Sequence, residues 1–431
     1  MESARNSTFT NPGAVAIKRR TRLNTFAGAE GGALLLSPKI RGALARLDDA
    51  LFAIWDLGDN VLLAWTHDDG ELRFLAVRHY AIAEAIHSGP AHPGQKNDAI
   101  GFVNDILSGS KYLAPDRFRQ VCRDFGTDSQ GLRVDFRVGT DVDVELINEL
   151  VRRYSVSLVR GRAVVLLDAV EFSLQPPLDQ MAMLNSLSFS VNSAYRQLLS
   201  KEIDVNFART TTGDGFYIWN RATNPGANVE LYKLMMLILA DNAVAQRKAR
   251  SEWVPKLRAA FHVGEHYEFH QVEGLNPTTF SYIVGQVTVD LARMIEKSLP
   301  GQILLGDFEV REEVGPGRSI RYDTVDFVER TAATLDHLIG LGISGGHIEN
   351  ISCYLTGQSL GGGRYMVNRY HIRDKHGTTR VVYNAKINIH RENTEPIFLG
   401  IQRDDLWAFA TAKVEALNRD AEQTGSYFIR P

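Results

Sequence analysis

Two aspartates, Asp168 and Asp214, stand where a carboxylate can be held rigidly and approached closely. Asp168 follows the apolar run Ala163–Leu167, which predicts a buried strand over 162–167 and places the carboxylate at the open edge of a sheet. Asp214 lies in Thr211–Thr212–Gly213–Asp214–Gly215, a tight turn between Ile203–Ala208 and Phe216–Trp219. That pattern predicts a β-hairpin, and the flanking glycines let other groups come close to its tip. If the two strands are neighbours, the carboxylates meet. Adjacent carboxylates repel unless they share a proton or a cation. Two hard-oxygen ligands with open positions suit Mg²⁺ or Mn²⁺ held jointly with substrate phosphates. Two such ions clamp the attacking and leaving oxygens of a phosphoryl displacement.

The elements that must position this pair are predicted from periodicity. A helix is predicted over 178–199, with Met181, Leu184, Leu187 and Val191 on its buried face. Further helices are predicted over 230–246 and 287–297, the latter stopped by Pro300–Gly301, with strands over 258–263 and 302–305. The order β, α, β, β, α, β, α, β predicts an α+β fold with helices on one face of a mostly antiparallel sheet. Upstream, Ala50–Asp56 and Val61–Thr66 read as strands around Gly58–Asp59–Asn60, and Leu72–Val77 as a third. Helices are expected over 81–87, 99–108 and 142–154. Downstream, a helix over 325–341, a hairpin joining 365–372 to 378–389, a strand over 396–402 and a closing helix over 406–417 predict another small α+β unit. The expected division is a flexible tail (1–42), an N-terminal α+β domain (43–155), a central catalytic domain (156–322) and a C-terminal α+β domain (323–431).

Residues 160–310 resemble the class III nucleotidyl cyclases. Asp168 to Ser173 matches that family's apolar-Asp-x-x-x-Phe-Ser/Thr segment, and Thr211 to Asp214 matches its Thr-x-Gly-Asp hairpin. The two aspartates are 46 positions apart with one long helix between them, as in the family. Arg258–Gly264 is similar to the family's Arg-x-Gly-Ile-His-x-Gly strand, and Ile283–Arg293 and Pro300–Leu304 to its last helix and strand. The resemblance implies a ferredoxin-like catalytic core of mixed, mostly antiparallel sheet with helices, flanked here by N- and C-terminal α+β domains. It implies two Mg²⁺ or Mn²⁺ ions on Asp168, the backbone of Ala169, and Asp214, with Phe172 and Ser173 beside the substrate. It further implies a head-to-tail homodimer in which the 3′-hydroxyl of a nucleoside triphosphate attacks the α-phosphate and pyrophosphate leaves. Arg293 falls at the transition-state arginine.

The chain departs from the family where the base is read. The purine-reading lysine falls on Thr210, with Arg209 one residue earlier, and its partner falls near Tyr282. The family asparagine falls on Val289, with Asp290 in its place if the register shifts by one. A pyrimidine or unusual substrate, or a catalytically degenerate nucleotide-binding protein, are the readings these departures open. Tyr370–Gly377 and Tyr383–Lys386 faintly resemble the sensor domain behind some bacterial antiphage cyclases, which implies an activating ligand at the C-terminal domain.

Bulk properties narrow the classes. The 431 residues are 44% hydrophobic and 23% charged, enough for a real core. A net charge of −3 gives no electrostatic footprint for nucleic acid, and Lys18–Arg19–Arg20 with Arg22 reads as a solvated tail. Cys122 and Cys353 make neither a four-cysteine zinc site nor a disulfide framework. No run of 18 apolar residues and no signal peptide is evident, so no membrane span and a cytoplasmic location are expected. His262–Val263–Gly264–Glu265–His266 matches the His-x-x-Glu-His pattern of inverted zinc peptidases. That pattern needs a helix, against which Gly264 and the strand-like run before it argue. Gly361–Gly362–Gly363–Arg364 lacks the Gly-Lys-Ser/Thr of a phosphate loop.

Overall fold

The computed structural model describes residues 37–401 apart from 69, 89–95, 223, 251–252, 274–275, 316, 344, 362–363 and 375–376, and also 415–416 and 428–429. The first described element is helix α1 (Pro38–Trp55). Ser37 caps it, its Oγ accepting from the Ile40 N–H at 3.3 Å, and Pro38 sits where a missing N–H costs nothing. Leu44, Leu47, Leu51 and Trp55 recur at helical spacing and are buried. The strand expected over 50–56 is therefore the last part of a helix, whose apolar stripe begins well upstream. Next in the chain are β1 (Asn60–Asp68), β2 (Glu71–Arg78), α2 (Ala81–Ser88), α3 (Lys96–Ser108), α4 (Pro115–Asp124), β3 (Gln130–Arg133) and α5 (Val144–Arg152). The three strands form one antiparallel sheet in the order β1-β2-β3.

Buried Lys111 ties this N-terminal unit to the central part of the chain. Its Nζ donates to the Ile106 and Leu107 carbonyls at 3.4 and 3.3 Å, closing the end of α3, and to the Val156 carbonyl at 3.0 Å. Burial, with Arg152 nearby, brings its pKa down to about 7.

The central elements are β4 (Ser157–Ala169), α6 (Pro177–Leu199), β5 (Phe207–Thr211), β6 (Gly215–Asn220), α7 (Ala227–Lys248), β7 (Leu257–Glu273), β8 (Asn276–Val284), α8 (Gln286–Lys297) and β9 (Ile303–Gly306). After them come β10 (Glu309–Gly315), β11 (Arg318–Asp323), α9 (Thr324–Ala332), β12 (Gly342–Ile343), β13 (Gly346–Leu355), β14 (Gly357–Gly361) and β15 (Arg364–Val367). The remainder is β16 (Tyr370–Arg373), β17 (Thr379–Arg391), β18 (Thr394–Leu399), β19 (Glu415–Ala416) and β20 (Phe428–Ile429). The helix expected over 406–417 lies outside the described residues, apart from 415–416, which pair as a strand with β16. The helix expected over 325–341 ends at Ala332 and resumes only as a 3₁₀ turn at Leu335–Leu338. The Thr331 and Thr334 hydroxyls donate back to the Phe327 and Thr331 carbonyls there, a local alternative to continuing the helix.

The fold is α+β, built on a mixed, mostly antiparallel sheet. Its main path is β12-β13-β17-β9-β7-β4-β6-β5, and only β7–β9 is parallel. The expected boundary at 322/323 falls just before Asp323, the last residue of β11, and the main sheet includes strands from both sides of it, with Val382–Ala385 of β17 pairing with Gly306–Ile303 of β9. Helices cover both faces rather than the one expected. Ala163, Val165 and Leu167 of β4 pack with α6 and α7, while Val164 and Leu166 pack with α8. Helix α7 is apolar nearly all round and buried along its length, lying between the sheet and the C-terminal elements. The buried face of α6 is carried by Met183, Leu187, Val191, Ala194 and Leu198, and Met181 is 57% exposed.

Candidate active site

Asp168 is brought to Asp214 by register. In the antiparallel ladders that flank β4, Asp168 faces Gly215 on β6 and Arg258 on β7. The Ala169 N–H donates to the Asp214 carbonyl at 3.0 Å, which fixes the hairpin tip against the end of β4. Gly215 permits this approach. A Cβ there would sit 1.8 Å from the Leu167 carbonyl oxygen. Gly213 turns the chain with φ +101°, a conformation that L side chains rarely adopt. The Thr212 hydroxyl donates to the Asp214 carboxylate at 3.1 Å and orients it.

Asp168 is 7% exposed. Burial pushes its pKa up, Arg258 opposes that shift, and the Asp214 carboxylate beside it pushes up again. Arg258 grips one Asp168 oxygen with Nε at 2.8 Å and with Nη2. Arg258 is the residue of this cluster that sequence reasoning did not single out as a candidate. It is visible within a motif, but its partner depends on the register between β4 and β7, which no local pattern encodes.

These residues fit a divalent cation of the Mg²⁺ type. Two carboxylates meet in a partly buried place, and the repulsion between them is an unmet demand for positive charge. Among the described residues no group of three or more His, Cys, Asp or Glu side chains could hold a metal by itself. A two-carboxylate site leaves positions for backbone oxygen, water and phosphate, which is how Mg²⁺ is normally bound. His262 and His266 lie on strand β7 rather than on a helix, so the zinc-peptidase geometry is absent.

The remaining candidates are spread around this pair. Phe172 and Ser173 form a 3₁₀ turn leading toward α6; Phe172 is half-buried and Ser173 exposed. Thr210 pairs with Tyr217 across the hairpin, on the sheet face that carries α8. Arg209 is on the opposite face, its guanidinium 5.2 Å over the Phe216 ring. Tyr282 on β8 stacks with Phe269 at 5.9 Å. Arg293 on α8 pairs with Glu296 at 3.1 Å.

Asp290, also on α8, is fully engaged. It accepts from Gln286 at 2.8 Å and from Arg380 of β17, and His262 Nε2 is 3.7 Å away. Arg380 also donates to Asp374 at 2.9 Å. Burial alone would raise the Asp290 pKa, but the nearby His262 ring and the hydrogen bonds from Arg380 and Gln286 outweigh it and hold the group at about 2. Gly306 makes room for this cluster, since a Cβ there would be 2.5 Å from His262 Nδ1.

No helix among the described residues is long and apolar enough to cross a membrane. No protein-family model matches the chain, and no curated protein matches it. Among solved structures the chain is similar to the guanylyl cyclase Cya2, at 12% identity and TM-score 0.29, over 53% of this chain and 92% of that one. It is similar to the guanylate cyclase domain of RhGC from Catenaria anguillulae, solved in complex with GTP, at 12% identity and TM-score 0.32, over 55% and 98%. It is also similar to the adenylyl cyclase CyaB from P. aeruginosa, at 12% identity and TM-score 0.30, over 53% and 95%.

Proposed function

We propose that the chain is a nucleotidyl cyclase that converts a nucleoside triphosphate to a 3′,5′-cyclic nucleotide and pyrophosphate at a homodimer interface. The observation that carries this reading is the meeting of Asp168, Asp214 and Arg258 at the end of β4. Asp168, the backbone of Ala169, and Asp214 would hold two Mg²⁺ or Mn²⁺ ions, which supply charge neutralisation at the attacking and leaving oxygens. Arg258 offsets part of the upward push on the Asp168 pKa and brings a guanidinium fork to the carboxylate pair. Arg293, on α8, is assigned to charge that builds on the phosphate in the transition state. Thr210 and Tyr282 are assigned to the base, and Phe172 and Ser173 to the substrate beside Asp168. Arg209, stacked on Phe216, is assigned to steadying the hairpin from behind.

Surface chemistry supports association between copies. Leu174 (76% exposed), Leu178 (63%) and Met181 (57%) project from the entry to α6. Trp253, 49% exposed, joins them through a 3.0 Å hydrogen bond to Asp179. An apolar group of this kind at the mouth of a site suits burial against a second subunit.

A second reading, a cyclase fold that binds nucleotide without turnover, is favoured by Asp290. That carboxylate is saturated by Arg380, Gln286 and His262, and the neighbouring position is Val289. One experiment separates the two. The protein is incubated with ATP, GTP, CTP or UTP and Mn²⁺ or Mg²⁺, and products are resolved by mass. A cyclic mononucleotide that disappears in Asp168→Ala and Asp214→Ala is expected and names the base. No product from any of the four, with folded dimeric protein, would leave only the binding role.

A further inference from the structure

The N-terminal unit holds a cleft that the reaction at Asp168 does not use. Its volume is about 430 Å³, and it lies between the start of β2 and the segment after β3. Leu72, Val134, Phe136 and Val138 supply an apolar floor, with Leu72 and Phe136 buried. Clefts of roughly 300–1,000 Å³ with an apolar lining and a few convergent polar groups are the usual form of small-molecule sites.

The polar groups of the rim decide what would enter. Glu71 is already engaged, its carboxylate accepting from Arg73 at 3.0 Å. It lies against Gly131, where a Cβ would be 2.2 Å from Oε1. Arg137 is different. Its backbone N–H donates to Asp141, but its exposed guanidinium makes no hydrogen bond or ion pair among the described residues. The remaining wall is the His67 ring, stacked on Tyr112 with centroids 5.5 Å apart and planes at 24°. A ring wall, an apolar floor and one unpaired guanidinium suit a flat apolar body bearing a carboxylate.

We propose that this cleft binds a small aromatic carboxylate and that its occupancy is felt at the root of β4. The physical connection is short. Tyr112 adjoins Lys111, whose Nζ donates to the Val156 carbonyl, one residue before β4 begins. The strand that this lysine anchors ends at Asp168 and Ala169.

The test is isothermal titration of 2-naphthoate into the full chain. One saturable site is expected. Its affinity should fall at least tenfold in Arg137→Gln, an exposed position where the fold loses nothing, and when the probe is replaced by neutral 2-naphthamide. Val138→Trp, which fills the cleft, should abolish binding. No saturable heat at millimolar probe, or binding that Arg137→Gln leaves unchanged, overturns the site. At saturating 2-naphthoate, amide exchange over 156–160 should slow. Unchanged exchange there would overturn the connection to β4. Both readouts are independent of turnover, so they stand or fall apart from the cyclase reading.

Discussion

Asp168 and Asp290 sit over the same face of the same sheet, and each meets an arginine, yet the two environments are opposed. Their strand contacts, Arg258 and His262, are four residues apart on β7, about 13 Å at roughly 3.3 Å per residue. Asp290 has Gln286, Arg380 and His262 around it, and although Arg380 is shared with Asp374, no second carboxylate pushes its pKa up, so its charge is satisfied by the protein. Asp168 has one arginine and a second carboxylate, so its charge is only partly met. The first arrangement is a structural fastener between α8 and the C-terminal elements. The second leaves a demand for positive charge open, which under the proposed function a cation would meet. A carboxylate left with an unmet demand is the better marker of chemistry than a carboxylate that is merely buried.

The largest expected effect comes from closing the approach between β4 and the hairpin. Gly215→Ala puts a methyl group within 1.8 Å of the Leu167 carbonyl in the present backbone. The ladder must shift, at a cost of about 3 kcal/mol, and Asp214 must leave Asp168. Thermal unfolding should show a lowered Tm together with loss of any Mn²⁺-dependent stabilisation. A variant that keeps the Mn²⁺ effect would show that the two carboxylates act separately.

The pair at the centre of this comparison is legible in the sequence because each half is local: an apolar strand ending in Asp168, and a glycine turn holding Asp214. The groups across from them are not. Arg258 depends on strand register, and Arg380 lies 90 residues from Asp290 in the chain. The continuation of the sheet through β9 and β17 rests on a four-residue edge, Ile303–Gly306, that carries no mark of its partner. The last turns of α1 read as a strand when taken alone, and only Leu44 and Leu47 upstream complete the helical period. Element order likewise does not state which face a helix covers, so α8 lies on the face opposite to α6 and α7 where one shared face was expected. The burial of α7 does have a signal, in that Leu231–Ala240 is apolar or uncharged on every side apart from Lys233.

The next effect in size lies in the Asp290 cluster. An aspartate near 3.9 when unfolded and about 2 when folded stabilises the fold by on the order of 2 kcal/mol at neutral pH. Because the folded value is the lower one, this contribution is complete above about pH 5 and is lost as pH falls through 2. Arg380→Gln should therefore cost about 2 kcal/mol at pH 7 in urea unfolding. The difference from the parent should shrink to roughly half that at pH 3, as Asp290 begins to protonate. An equal difference at both values would mean that Arg380 acts through packing or Asp374 and not through the Asp290 charge.

The smallest effect has the opposite sign. Asp214→Asn keeps an oxygen for the Thr212 hydroxyl but removes the charge that faces Asp168. In metal-free buffer the variant should be more stable than the parent by about 0.5–1 kcal/mol, and the upward push on the Asp168 pKa should ease. In Mn²⁺ the ranking should reverse, because the parent gains a bound cation and the variant does not. Stability given up in the free protein and recovered with the ion is the behaviour expected of a carboxylate pair kept for chemistry. If Asp214→Asn is instead less stable with and without Mn²⁺, the hairpin tip is held by its charge and Asp214 belongs with Asp290 among the fasteners.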